Sequence, residues 1–111
     1  MKKYNVIVVF EKDLNRTLMC KRTKEPYKGM FNLVGGKIDK ENDGLNEAYR
    51  ELREETNINC DDISLIHFMN IEYVTMGKSI EVYYGILNKD VCLVEEVNKL
   101  EWVDIKITFL I

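Results

Sequence analysis

The run Gly36 to Ile58, GKIDKENDGLNEAYRELREETNI, constrains this chain more than any other stretch. Its centre, Arg50-Glu51-Leu52-Arg53-Glu54-Glu55, places three carboxylates on what reads as one face of a helix, just downstream of Gly35-Gly36. Carboxylates this close repel one another and raise one another's pKa. A fold that gathers them needs a cation to set between them, and hard divalent ions such as Mg²⁺ prefer oxygen ligands of this kind.

The helix itself is legible from local pattern. Asp43 suits an N-cap, and the periodicity predicts a helix over 44–56. Leu45, Ala48, Tyr49 and Leu52 form one apolar stripe. At about 100° per residue, Glu47, Glu51, Glu54 and Glu55 fall on a neighbouring arc. Asn57 stands where the helix should end, and Asn is the usual substitute for Gly in a left-handed cap. An acidic helix face is often only solvated, and Glu47 is read that way.

Strands surround the helix. Residues 4–10 are β-branched and apolar and predict a buried strand; 17–22 predict a second, joined to it as a hairpin through Asp13-Leu14-Asn15. Residues 23–29 hold the only proline and predict an exposed loop. Residues 30–38 are interrupted by glycine and read as strand, bend, strand. Two long strands are expected over 63–74 and 80–87 around a turn at Met76-Gly77-Lys78, and a short one over 100–103. His67 and Trp102 read as structural. This order of strands, one helix, then strands gives an α+β class with a mixed sheet and a single domain over 1–111.

Composition narrows the function. Three widely spaced cysteines, Cys20, Cys60 and Cys92, without a CxxC pair, fit neither a disulfide framework nor a zinc site. They fit a reducing cytoplasm, and the charged residues soon after the first strand speak against a signal peptide. The net charge of −3 disfavours nucleic-acid polymers and anionic membranes as partners.

The 36–58 run resembles the Nudix box, G-x5-E-x7-R-E-U-x-E-E-x-G-U with U a bulky aliphatic. Gly36 takes its first position, Arg50, Glu51, Leu52, Glu54 and Glu55 its R-E-U-x-E-E core, and Ile58 its last. Asn42 stands where the family has Glu, with Glu41 one residue early, and Asn57 stands where it has Gly. The late Glu101-Trp102-Val103 also resembles the family. The resemblance implies an α/β/α sandwich and Mg²⁺-dependent hydrolysis of nucleoside di- or triphosphate derivatives, with Mn²⁺ as a substitute. It implies metal ligation by Glu54, Glu55 and the carbonyl of Gly35, with Glu51 as a ligand or general base and Arg50 holding Glu51. Glu96 would be a further ligand, with Glu95 the alternative. Lys21, Arg22, Gly36 and Lys37 would lie at the phosphates. Phe31-Asn32 resembles a subgroup that includes sanitising hydrolases of oxidised nucleotides, in which the Asn reads the base. The other reading is a nucleotide-binding module of the same fold with little turnover, favoured by Asn42. The partner is a nucleotide-type small molecule, and the protein a monomer or homodimer. The second covering helix of the family would be short or missing, since only Asp104 to Ile111 remain, and the apolar tail Phe109-Leu110-Ile111 should pack on the sheet or meet a partner.

Overall fold

The computed structural model describes residues 2–39, 43–96 and 98–105. The expectations for Glu41, Asn42 and the tail 106–111, with its covering helix, therefore lie outside the described residues.

The elements run β1 (Lys2–Phe10), β2 (Arg16–Lys21), β3 (Phe31–Asn32), β4 (Val34–Lys37), α1 (Gly44–Thr56), β5 (Ile66–Tyr73), a 3-10 turn (Val74–Met76), β6 (Lys78–Ile86) and β7 (Lys99–Asp104). Among the described residues they form one mixed sheet with a single α-helix, which is the α+β class expected. β1 is parallel to β6 and antiparallel to β4. It pairs with β2 at Phe10–Thr17 only. The expected hairpin is thus open beyond its first pair. A strand has two hydrogen-bonding edges, and β6 occupies one edge of β1. β4 must therefore share the other edge with β2. Together β3 and β4 enter the gap, β3 along β2 at Cys20–Asn32 and β4 along β1 at Asn5–Gly36.

Alternation sorts the two sheet faces. Ile7, Val9, Leu18, Cys20, Val34 and Tyr83 point toward α1 and join Ala48, Leu52 and Ile58 in the core. Leu45, expected on the same stripe, is exposed instead. The helix begins where the sequence suggests, at Gly44, but without the expected side-chain cap. Asp43 sits at the N-cap, but its carboxylate accepts from the Asn46 side chain at 2.7 Å and caps no backbone N–H. Glu81 from β6 packs against the first turn at Gly44, with Tyr83 donating its hydroxyl to it at 2.6 Å. A carboxylate there suits the positive end of the helix. The other end matches the expectation: Asn57 is left-handed, at φ 68°, and its N–H closes on the Arg53 carbonyl.

On the opposite face Val6, Val8, Phe10, Phe68, Val82 and Tyr84 line an open apolar groove of about 520 Å³. β5 is exposed along its whole length, and His67 stacks on Tyr83 with ring centroids 4.8 Å apart.

Leu52 is fully buried between α1 and the sheet. Leu52→Ala should cost about 2–5 kcal/mol, seen as a lowered urea midpoint at unchanged slope.

Candidate metal and phosphate site

The bend at Gly35-Gly36 organises the site. Gly35 has φ 154°, and any Cβ on it would collide with the Asn5 carbonyl oxygen. Only glycine lets β4 lie this close to β1. Its N–H donates to Glu55 Oε2 at 3.2 Å. The Gly36 N–H donates to the side-chain Oδ1 of Asn5 at 2.9 Å. A Cβ on Gly36 would stand 3.0 Å from the Glu51 carboxylate. Two carboxylates one helical turn apart on α1 thus flank the bend directly.

Their surroundings raise the pKa of both. Burial pushes Glu51 up, against the pull of Arg50. Burial pushes Glu55 up to about 7, with the neighbouring charges of Glu51 and Glu54 adding to it and the Gly35 N–H opposing. Cys20, near Glu55, is pushed up to about 11, chiefly by burial, and stays a thiol at neutral pH.

Arg50 does more than hold Glu51. Its guanidinium donates to Glu47 at 2.6 Å, to Glu54 at 2.9 Å and to Glu51 at 3.3 Å. The bond to Glu47 contributes most to raising its pKa. Glu47 is therefore a buried clamp partner and not the solvated residue that the sequence suggests. Glu54 leans out to Arg50, with its side chain 51% exposed against 16% for Glu51.

Among the described residues no three acidic, histidine or cysteine side chains already converge as a metal cluster. The donor set nonetheless suits a hard cation. It consists of carboxylate and carbonyl oxygens around a bend with no side chains in the way, and the burial that raises two of the carboxyls is relieved by a positive charge. Glu51, Glu54, Glu55 and the Gly35 carbonyl are the groups that would hold it.

The other expected residues are less tightly gathered. Glu96 is exposed and makes no hydrogen bond or ion pair among the described residues. Glu95 is engaged elsewhere, accepting the Leu100 N–H at 2.7 Å. The Lys21 ammonium lies 5.6 Å from the Phe31 ring centre, and Arg22 Nε donates to the Pro26 carbonyl at 2.8 Å. Asn32 accepts the Leu33 N–H at 2.9 Å, which leaves its amide donors free. Lys37 is exposed at the end of β4. The Gly36 N–H is committed to Asn5, so Gly36 contributes its missing side chain and no hydrogen-bond donor.

Asn5 is the residue that sequence reasoning missed. It is 2% exposed, and its Nδ2 is a buried donor without a partner among the described residues. The available signal was one amide in the otherwise apolar strand Tyr4-Asn5-Val6-Ile7-Val8.

The raised Glu55 pKa gives a signed expectation for metal-free protein. The folded chain holds this proton more tightly than the unfolded chain, whose ordinary value is 4.5. The stabilisation is full below that value and is lost as pH rises through about 7. In EDTA the urea midpoint should decline between about pH 5 and about pH 8, and Glu55→Gln should flatten that decline.

Comparison with known proteins identifies the fold and the family. The NUDIX domain model matches residues 1–106. No curated protein sequence matches the chain. Among solved structures, it is similar to an Ap4A hydrolase from C. elegans, with TM-score 0.71 and 22% identity over 96% of this chain and 82% of that one. It is similar to MutT in a study of the Aliivibrio salmonicida and Vibrio cholerae proteins, with TM-score 0.72 and 19% identity over 95% and 81%. It is also similar to the NUDIX domain of Shewanella oneidensis NrtR complexed with ADP ribose, with TM-score 0.67 and 19% identity over 94% and 73%. At these identities the structures attest the fold alone; the matched domain model shows that this chain belongs to the NUDIX domain family, which places it among hydrolases acting on pyrophosphate bonds.

Proposed function

We propose that this chain is a Mg²⁺-dependent pyrophosphohydrolase of nucleoside di- or triphosphate derivatives, with an oxidised or ordinary deoxynucleoside triphosphate as its substrate. The observation that carries this reading is the approach of Glu51 and Glu55 to the Gly35-Gly36 bend. A bound Mg²⁺ or Mn²⁺ would neutralise the pyrophosphate and supply water of lowered pKa.

The protein's own residues do the rest. Glu54, Glu55 and the Gly35 carbonyl are the metal ligands, and Glu51 is a ligand or the base that takes a proton from water. Arg50 fixes the direction of Glu51, and its ion pair with Glu54 would give way for Glu54 to hold a cation. Lys21, Arg22 and Lys37 lie against the phosphates. The apolar groove beyond Leu33 suits a nucleoside base, and the free amide donors of Asn32 suit its polar edge. The reading takes 1–111 as a single domain, a monomer or homodimer in the cytoplasm. Its partner is a small nucleotide, with neither a nucleic-acid polymer nor a membrane involved. Among the described residues no helix is long and apolar enough to cross a membrane.

One observation favours the second reading, a nucleotide-binding module with little turnover: Glu54 is held in an ion pair by Arg50. The two separate in an assay. Release of pyrophosphate or phosphate from a nucleotide panel with Mg²⁺, read as total phosphate after added inorganic pyrophosphatase, should be robust in wild type. Glu54→Gln and Glu55→Gln should each lower kcat/KM by about 100-fold or more, the loss of several kcal/mol of charge stabilisation. A wild type as silent as the variants, yet binding nucleotide, would leave only the binding module. Arg50→Ala should lower kcat/KM by about 10–100-fold through misplaced ligands and should weaken Mn²⁺ binding in parallel, measured by calorimetry.

A further inference from the structure

β2 and β7 are antiparallel neighbours, and their register sets Lys21 directly opposite Lys99. Like charges in that position destabilise a sheet. The two lysines also line one cleft of about 320 Å³ with Arg22, Thr23, Lys28 and Gly29. A smaller cleft beside it, of about 160 Å³, adds Lys24 and Asn98 to Arg22 and Thr23. Among the described residues neither cleft has a carboxylate in its lining. None of these five cations forms an ion pair among the described residues. This concentration of positive charge occurs in a chain whose net charge is −3.

The cleft is also built. The Arg22 N–H donates to the Met30 carbonyl at 3.0 Å, and the Gly29 N–H donates back to the Arg22 carbonyl at 2.9 Å. These bonds fold the 23–29 loop onto the end of β2 and hold Lys24 and Lys28 over it. The Arg22 Nε is tied to Pro26, which fixes the guanidinium while its terminal nitrogens remain available. The Glu95 carboxylate takes the Leu100 N–H and so steadies the start of β7 next to Lys99.

We infer that this cleft is a polyphosphate-binding site, in which Lys28 and Lys99 join Lys21 and Arg22 to hold phosphate groups of a ligand beyond the two whose anhydride is cleaved. An extended phosphate chain presents several charges to several separated ammonium groups, and so relieves the repulsion between Lys21 and Lys99. The site therefore favours ligands with three or more phosphates over diphosphate derivatives. That consequence for substrate choice rests on the hydrolase reading, whereas the anion site itself does not.

The test uses inorganic tripolyphosphate and calorimetry in EDTA, where no cation bridges the acidic helix face. Wild type should bind it, and the Lys28→Gln, Lys99→Gln double variant should bind about tenfold more weakly or worse, as expected from lost charge-assisted hydrogen bonds. Glu54→Gln should bind as wild type does. Both lysines are exposed, so the double variant should keep its urea midpoint or raise it. With Mg²⁺ present, the double variant should show a raised KM for a nucleoside triphosphate at unchanged kcat, and an unchanged KM for a nucleoside diphosphate derivative. Equal tripolyphosphate binding by wild type and the double variant would overturn the site, as would no binding at all. A 5′-hydroxyl oligoribonucleotide that binds more tightly than tripolyphosphate would also overturn it, in favour of a polymer surface. Loss of hydrolysis in wild type with tripolyphosphate binding intact would instead remove only the hydrolase reading.

Discussion

The close approach of β4 to β1 at Gly35 is the contact on which the rest of the site depends. No side chain fits between Gly35 and the Asn5 carbonyl, and none fits comfortably between Gly36 and Glu51. With both side chains missing, the backbone N–H of Gly35 reaches Glu55 and that of Gly36 reaches Asn5. The sheet is tied in this way to the acidic face of α1. The apolar stripe beneath, with Ala48 and Leu52 fully buried, sets the height of the helix over the sheet. Polar and apolar contacts therefore specify the same placement, which is the consistency that gives one structure its advantage over alternatives.

Charge is handled differently in two places. On α1 four carboxylates crowd together, and Arg50 draws three of them into hydrogen bonds while Glu55 is left with Gly35. The arrangement is self-neutralising in part, and the buried remainder shows as the raised Glu55 pKa. At the end of β2 the crowding is of positive charge, and among the described residues no carboxylate lines the cleft to offset it. On the proposed reading, the acidic region would meet the cation and the basic region the phosphate chain of one metal–polyphosphate ligand.

Much of the fold was legible in the primary structure because the signals were local. The helix bounds, the left-handed Asn57 and the order of strands follow from periodicity and cap chemistry. The open hairpin was not legible. Nothing in residues 4–22 records that residues 31–37 will enter between β1 and β2, since that depends on edges offered by strands distant in sequence. That a carboxylate from β6, Glu81, would pack beside the first turn at Gly44 was not legible for the same reason. Glu96 could be proposed from its distance to Trp102 along the chain, but spacing through a loop does not determine where a side chain ends.

Residue types and spacing by themselves determined the chemistry available here: hard oxygen donors at helical intervals, an arginine among them, and a glycine pair upstream. These follow from covalent order and from the helical repeat, which need no partner elements. Only the tertiary structure decided that Glu47 is buried, that Glu54 turns to Arg50, that Asn5 holds the glycine bend, and that Lys21 faces Lys99. Those outcomes depend on strand pairing and on which atoms are removed from water, and both are set by contacts between residues far apart along the chain.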